Sequence, residues 1–65
     1  MKALDTIDKE ILKKLRENAR IPLKDLSAEV FLTTPAVSAR IEKLEKEGYI
    51  KGYHAEIDIQ YHSRL

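Results

Sequence analysis

Cysteine and tryptophan are missing from this 65-residue chain, which holds only two glycines and two prolines. Without cysteine there is no disulfide and no thiolate metal site to staple a small fold. Two glycines cannot supply a glycine-rich phosphate loop. Long hydrophobic runs are missing as well, the longest being Val30-Phe31-Leu32. A membrane span needs roughly 20 apolar residues and a signal peptide a run of about 7–15. The chain is therefore expected to be soluble and cytoplasmic, with no membrane partner. Neither sign of charge is in excess: 12 basic residues face 11 acidic ones, for a net charge of +1. That balance neither requires nor excludes nucleic acid, so an electrostatic argument must rest on local arrangement.

What is present fits one small helix-rich domain, with 43% hydrophobic and 35% charged residues. A chain of this length buries only about 60% of its unfolded surface, so its core is marginal. Leu4, Ile7, Ile11 and Leu15, with Leu12 beside them, recur at helical spacing and predict a first helix over about 5–17. Asp5 is its expected N-cap, and Asp8 favours the positive helix end. Lys9, Lys13, Lys14 and Arg16 lie on or near the other face. They read either as phosphate contacts or as a solvated face paired with Glu10 and Glu17. Pro22 suits the start of a second helix over about 23–30, with Leu23, Leu26 and Val30 facing inward. Ser27 and Ala28 are small enough to let another helix approach.

Phe31-Leu32 is the corner that follows. Thr33 is a second expected N-cap, and Thr34-Pro35 open a third helix over about 34–47. Val37, Ile41 and Leu44 form its buried stripe. Pro35, Ala39, Glu42 and Lys46 lie opposite, flanked by Ser38 and Lys43. Gly48 is a strong stop just past the end. A helix of this kind packs one side on a core and offers its amino end to a partner, for which the major groove of DNA is the candidate.

From Tyr49 to Tyr61 the pattern changes period. Tyr49, Lys51, Tyr53, Ala55, Ile57, Ile59 and Tyr61 form a mostly apolar parity, and the alternate residues are mostly polar. That is the signature of a strand with one covered face, roughly 40 Å long if extended. A strand needs a neighbour. A wing hairpin around Gly52 would supply one, as would a second copy of the chain across a twofold axis. The fold class expected is mainly α: a three-helix winged helix-turn-helix over residues 1–48, followed by a β-strand and tail over 49–65.

Three runs then carry a family resemblance: LDTIDKEILKKLRENARI, LKDLSAEV and LTTPAVSARIEKLEKEGYIKGY. In order and in register, they make residues 4–58 resemble the amino-terminal DNA-binding domain of the Lrp/AsnC, or feast/famine, transcription regulators. The resemblance implies a sequence-specific regulator whose third helix enters the major groove. Thr34, Pro35, Ser38 and Ala39 would then face base edges, with Arg40 a basic site near the DNA. It also implies a strand after Gly48 that pairs with a dimer mate. Relative to the family's usual pattern, Pro22 stands where a small hydroxylic cap is common. Phe31 stands where glycine is common, and Ala39 where a second basic residue is frequent. If φ is positive at Phe31, a bulky side chain is strained there; alternatively the corner tolerates it and Phe31 joins the core. The family's carboxy-terminal amino-acid-binding domain has no counterpart in this chain, so amino-acid sensing is not carried over.

The expected DNA-binding set is Thr33, Thr34, Pro35, Ser38, Ala39, Arg40 and Lys43. Thr34 and Ser38 can donate or accept hydrogen bonds, and Pro35 and Ala39 suit a thymine methyl. Arg40 could reach guanine or a phosphate, or pair with Glu47 or another nearby acid. Lys43 and Lys46 sit among Glu42, Glu45 and Glu47, so a self-paired helix face is an even alternative for them. The expected dimer strand uses Ile50, Lys51, Tyr53, Ala55 and Ile57. His54 and His62 are eight residues apart and lack zinc-ligand spacing. No nucleophile–base pair suggests itself, so no catalysis, metal or cofactor is expected. The partners expected are double-stranded DNA and a second copy of the chain. The competing class is a winged-helix protein-interaction or dimerisation module without specific DNA binding.

Overall fold

A computed structural model describes residues 4–54 of the chain, and three helices account for most of them: α1 (Thr6–Glu17), α2 (Leu23–Val30) and α3 (Thr34–Lys46). Each begins where the chain supplies a residue suited to the extended N-cap conformation. Asp5 caps α1 by accepting from the Asp8 amide at 2.7 Å, and Asp8 answers by accepting from the Asp5 amide at 3.4 Å. This reciprocal capping box satisfies two amides that have no partner inside the helix. Pro22 precedes α2 with no side-chain cap, as the missing hydroxyl implies. Thr33 caps α3, its Oγ1 accepting from the Ala36 amide at 3.4 Å.

The helix ends are equally specific. After α1, the Asn18 side chain accepts from the Arg20 amide at 3.0 Å, and the Asn18 carbonyl accepts from the Ile21 amide at 3.1 Å. This tight turn stands in for a glycine stop. Helices α2 and α3 both end in a Schellman motif. After α2, the Phe31 amide donates to the Ala28 carbonyl and the Leu32 amide to the Ser27 carbonyl. After α3, the Gly48 amide donates to Glu45 and the Tyr49 amide to Leu44. The motif needs a left-handed residue, and Gly48 supplies it at φ 82°.

The helices close on a small core of Ile11, Leu26, Val30, Val37 and Leu44. Leu4, Ile7, Leu12, Leu15, Ile21, Leu32, Ile41, Tyr49 and Ile50 pack around it half-buried. One inward assignment on α2 is corrected here. Leu23 is 39% exposed, because it stands in the first turn of α2, beyond the edge of the contact. Ala28 also faces solvent; Ser27 alone is buried, its hydroxyl donating to the Lys24 carbonyl at 2.8 Å.

At the corner the first of the two readings holds, a positive φ under a bulky side chain. Phe31 does not join the core: it is 93% exposed, with φ 59° and ψ 41°. The left-handed backbone demanded by the Schellman turn aims its side chain outward, and the following residue, Leu32, packs inward instead.

The trailing strand has no counterpart among the described residues. Tyr49 and Ile50 are both half-buried, although they belong to opposite parities. Their amides both donate to the Leu44 carbonyl, at 3.0 and 3.2 Å, so this stretch finishes the α3 cap before any strand can start. The greater part of the expected strand, residues 55–61, lies outside the described residues.

Candidate nucleic-acid interface

Helix α3 presents a continuous outer face because its buried residues, Val37 and Leu44, are confined to one stripe beside half-buried Ile41. Thr33, Thr34, Pro35, Ser38, Ala39 and Lys43 are all exposed. The first five gather at the amino end of α3, where Thr33 satisfies one of the free amides. The hydroxyls of Thr34 and Ser38 take no hydrogen-bond partner among the described residues. Farther along, Ala39, Glu42, Lys43, Lys46 and Glu47 line a shallow groove. Lys46 pairs with Glu42 at 3.9 Å, an exposed contact of little energetic weight. Lys43 has no ion pair among the described residues. The self-paired reading therefore fits Lys46 but not Lys43.

Arg40 is different from the rest of the set. Its Nη1 donates to Asp5 Oδ2 at 2.7 Å and to Asp8 Oδ1 at 3.1 Å. The partner is neither Glu47 nor any acid on α3, but the capping box of α1. Asp8 is only 6% exposed, so the ion pair to it is largely sheltered. The hydrogen bond from Arg40, then that from the Asp8 amide, holds the Asp5 carboxyl below its ordinary range against a smaller opposing effect of desolvation. Reciprocally, the bond to Asp5 raises the Arg40 pKa further, with desolvation opposing. The Asp5–Asp8 spacing carried a legible signal, an acid three residues after an acidic cap. That Arg40, 32 to 35 residues away, completes the pair is a tertiary fact with no local signature.

The segment after α3 is tied back to it. Tyr53 donates its hydroxyl to Glu45 Oε2 at 2.7 Å. Partial burial, and then the neighbouring Glu45 carboxylate, push the Tyr53 phenol up to about 12. Of the expected dimer strand, Ile50 is half-buried against the core, Lys51 is exposed and Tyr53 is 46% exposed. Ala55 and Ile57 lie outside the described residues, as does His62, while His54 is exposed. Among the described residues, no group of three or more His, Cys, Asp or Glu is placed to hold a metal ion. No helix among them is long and apolar enough to cross a membrane.

Comparison with known proteins agrees with this geometry. Residues 4–51 match the family model described as winged helix-turn-helix DNA-binding. An uncharacterised HTH-type transcriptional regulator of Pyrococcus abyssi is 51% identical over 61 residues, covering 94% of this chain and 39% of that protein. The HTH-type transcriptional regulator LrpA of Bacillus subtilis is 44% identical over 55 residues, covering 85% of this chain and 40% of that protein. Among solved structures, B. subtilis LrpC superposes with a TM-score of 0.83 at 33% identity, covering 92% of this chain and 43% of that one. E. coli AsnC gives a TM-score of 0.80 at 25% identity, covering 92% and 40%. The chain thus spans about two fifths of the length of the relatives it matches. It belongs to the winged helix-turn-helix DNA-binding family and, within it, to the Lrp/AsnC transcription regulators.

Proposed function

We propose that this chain is the sequence-specific DNA-binding part of a transcription regulator, with α3 seated in the major groove. The observation that carries the reading is the amino end of α3. Thr34, Pro35, Ser38 and Ala39 are exposed together there, beside a helix end whose amides favour a phosphate. Two hydroxyls and two small apolar groups can read base edges and thymine methyls without steric conflict. Lys43, an exposed cation without an ion pair among the described residues, serves as a flanking phosphate contact.

The outer face carries no strongly basic side chain at the groove floor, so one copy supplies modest specificity. Two copies reading half-sites about one helical turn apart would multiply it. In this reading the copies pair through the expected strand past the α3 cap, by Lys51, Tyr53, Ala55 and Ile57, on the strength of its period-two pattern, while Ile50 stays on its own core. An Ile57→Asp variant should then sediment as a monomer where the parent chain sediments as a dimer.

The test is binding to a duplex recovered from a random pool, titrated against salt alongside a scrambled duplex. The recovered duplex should bind tighter at every salt, and its affinity should fall steeply as salt rises. A dimer with no preference for any duplex at low salt would favour the competing reading, a protein-interaction module. The near-balanced charge of Glu42, Lys43, Glu45, Lys46 and Glu47 is what keeps that reading in play.

A further inference from the structure

We infer that Arg40 is a positioning residue for the recognition helix, clamping α3 to the capping box of α1, and that it contacts neither base nor phosphate. The inference rests on the DNA-binding reading of α3 and alters the role of one residue within it. Its basis is how four carboxylate oxygens are shared out. Asp5 gives Oδ1 to the Asp8 amide and Oδ2 to Arg40. Asp8 gives Oδ2 to the Asp5 amide and Oδ1 to Arg40. Each acid thus caps its own helix with one oxygen and holds α3 with the other.

Two further observations bear on the role. One guanidinium nitrogen serves both acids, so a single cation faces two anions. Leaving for a phosphate would strand those two like charges side by side, with Asp8 sheltered from water. Arg40 also stands on the edge of the buried stripe, three residues after Val37 and four before Leu44. With about 100° of rotation per residue it is turned well away from Ala39 on the outer face. The remaining α1–α3 contact is apolar packing, which is non-directional. The charge-assisted bonds are directional. They fix the rotation and pitch at which Thr34 and Ser38 are presented.

The discriminating readout is the salt slope of binding, measured on the whole chain with the duplex recovered from a random pool. A residue that neutralises one phosphate contributes about 0.9 to the slope of log affinity against log salt. Arg40→Gln should lower affinity by the same factor at every salt, leaving the slope unchanged, and should lower the unfolding midpoint. Lys43→Gln should flatten the slope by about 0.9 and leave the midpoint where it was. If Arg40→Gln does not fold, Arg40→Lys keeps the charge and should retain the slope with part of the stability. In a thermal double-mutant cycle, Asp8→Asn should cost less in the Arg40→Gln background than alone. An Arg40 variant that flattens the slope by about 0.9 at an unchanged midpoint overturns the inference. So does an additive cycle. If no duplex is preferred by the parent chain, the DNA reading fails, while the cycle still decides whether the clamp exists.

Discussion

Phe31 and Gly48 occupy the same place in the same turn. Each is the left-handed residue of a Schellman motif, at φ 59° and φ 82° respectively, and each closes the same pair of hydrogen bonds behind its helix. Only one of them is suited to the conformation. A side chain in this region costs about 1–2 kcal/mol, which glycine avoids. Phe31 recovers nothing by burial, since its ring is almost wholly in solvent.

Phe31→Gly should therefore stabilise the fold. Relief of strain outweighs the extra unfolded-state entropy of glycine, for a net gain of up to about 1 kcal/mol. In a domain of this size that raises the unfolding midpoint by roughly 4–8 °C. Gly48→Ala should do the reverse by about 1 kcal/mol, for conformational reasons alone, because nothing lies within 4 Å of the added methyl. Thermal unfolding of the two variants checks both signs. An unchanged or lowered midpoint for Phe31→Gly would show that the ring contributes something at this corner.

Leu23 and Leu26 separate the structure from the helical pattern. Both sit on the apolar side of α2 by spacing, yet one is 39% and the other 1% exposed. Leu26→Ala should cost about 2–5 kcal/mol through transfer and cavity terms. In so small a core that is a large part of the total stability. Leu23→Ala should cost well under half as much. Urea unfolding of the pair decides it, equal losses being the result that contradicts the packing described.

The acid limb of stability should run through Asp5. Its carboxyl is held below the ordinary range by Arg40 first and by the Asp8 amide second. A lowered folded pKa means the stabilisation is fully present above the unfolded value of about 3.9 and is lost as pH falls through the lower folded one. Asp5→Asn should thus be less stable than the parent at neutral pH, with the gap closing below about pH 4. Denaturation midpoints against pH would show this convergence. Two parallel curves would mean that Asp5 carries no linked proton.

Tyr53 offers an alkaline counterpart. Its phenol is raised to about 12 by partial burial and by Glu45. The sign is that of a raised group: the contribution is intact below about pH 10 and is lost as pH climbs through the folded value. In phenolate absorbance, the parent-minus-Tyr53→Phe difference should step near 12 rather than near 10. Glu45→Gln should move the step downward. A step near 10 in the parent, where an unperturbed tyrosine titrates, would remove the Tyr53–Glu45 bond from the account.

Much of this fold was legible because its signals are local. Asp5, Thr33 and Gly48 announce caps by residue type, and Ile11, Val37 and Leu44 announce buried stripes by spacing. The corner was half legible: a left-handed φ was foreseeable at Phe31, but whether its ring turned inward depended on which neighbour the turn aimed at the core. Leu32 won that place. The outer face of α3 was readable for the same reason as the stripe, being its complement. Arg40 was not. Its acids are close in space and far in sequence, and a lone arginine on a helix gives no hint of which carboxylate it will find. The strand pattern after Gly48 met a different obstacle, since the first two residues of that stretch complete the α3 cap.

The central claim is that the amino end of α3 reads base edges, and one comparison tests it most directly. Parent chain and a Thr34→Ala/Ser38→Ala variant are titrated against the recovered and scrambled duplexes at one salt concentration. The ratio of the two affinities should collapse in the variant, each lost base contact being worth about 1–3 kcal/mol of discrimination, while binding to the scrambled duplex barely changes. A variant that keeps the parent's ratio would place sequence reading elsewhere on the chain and contradict the account.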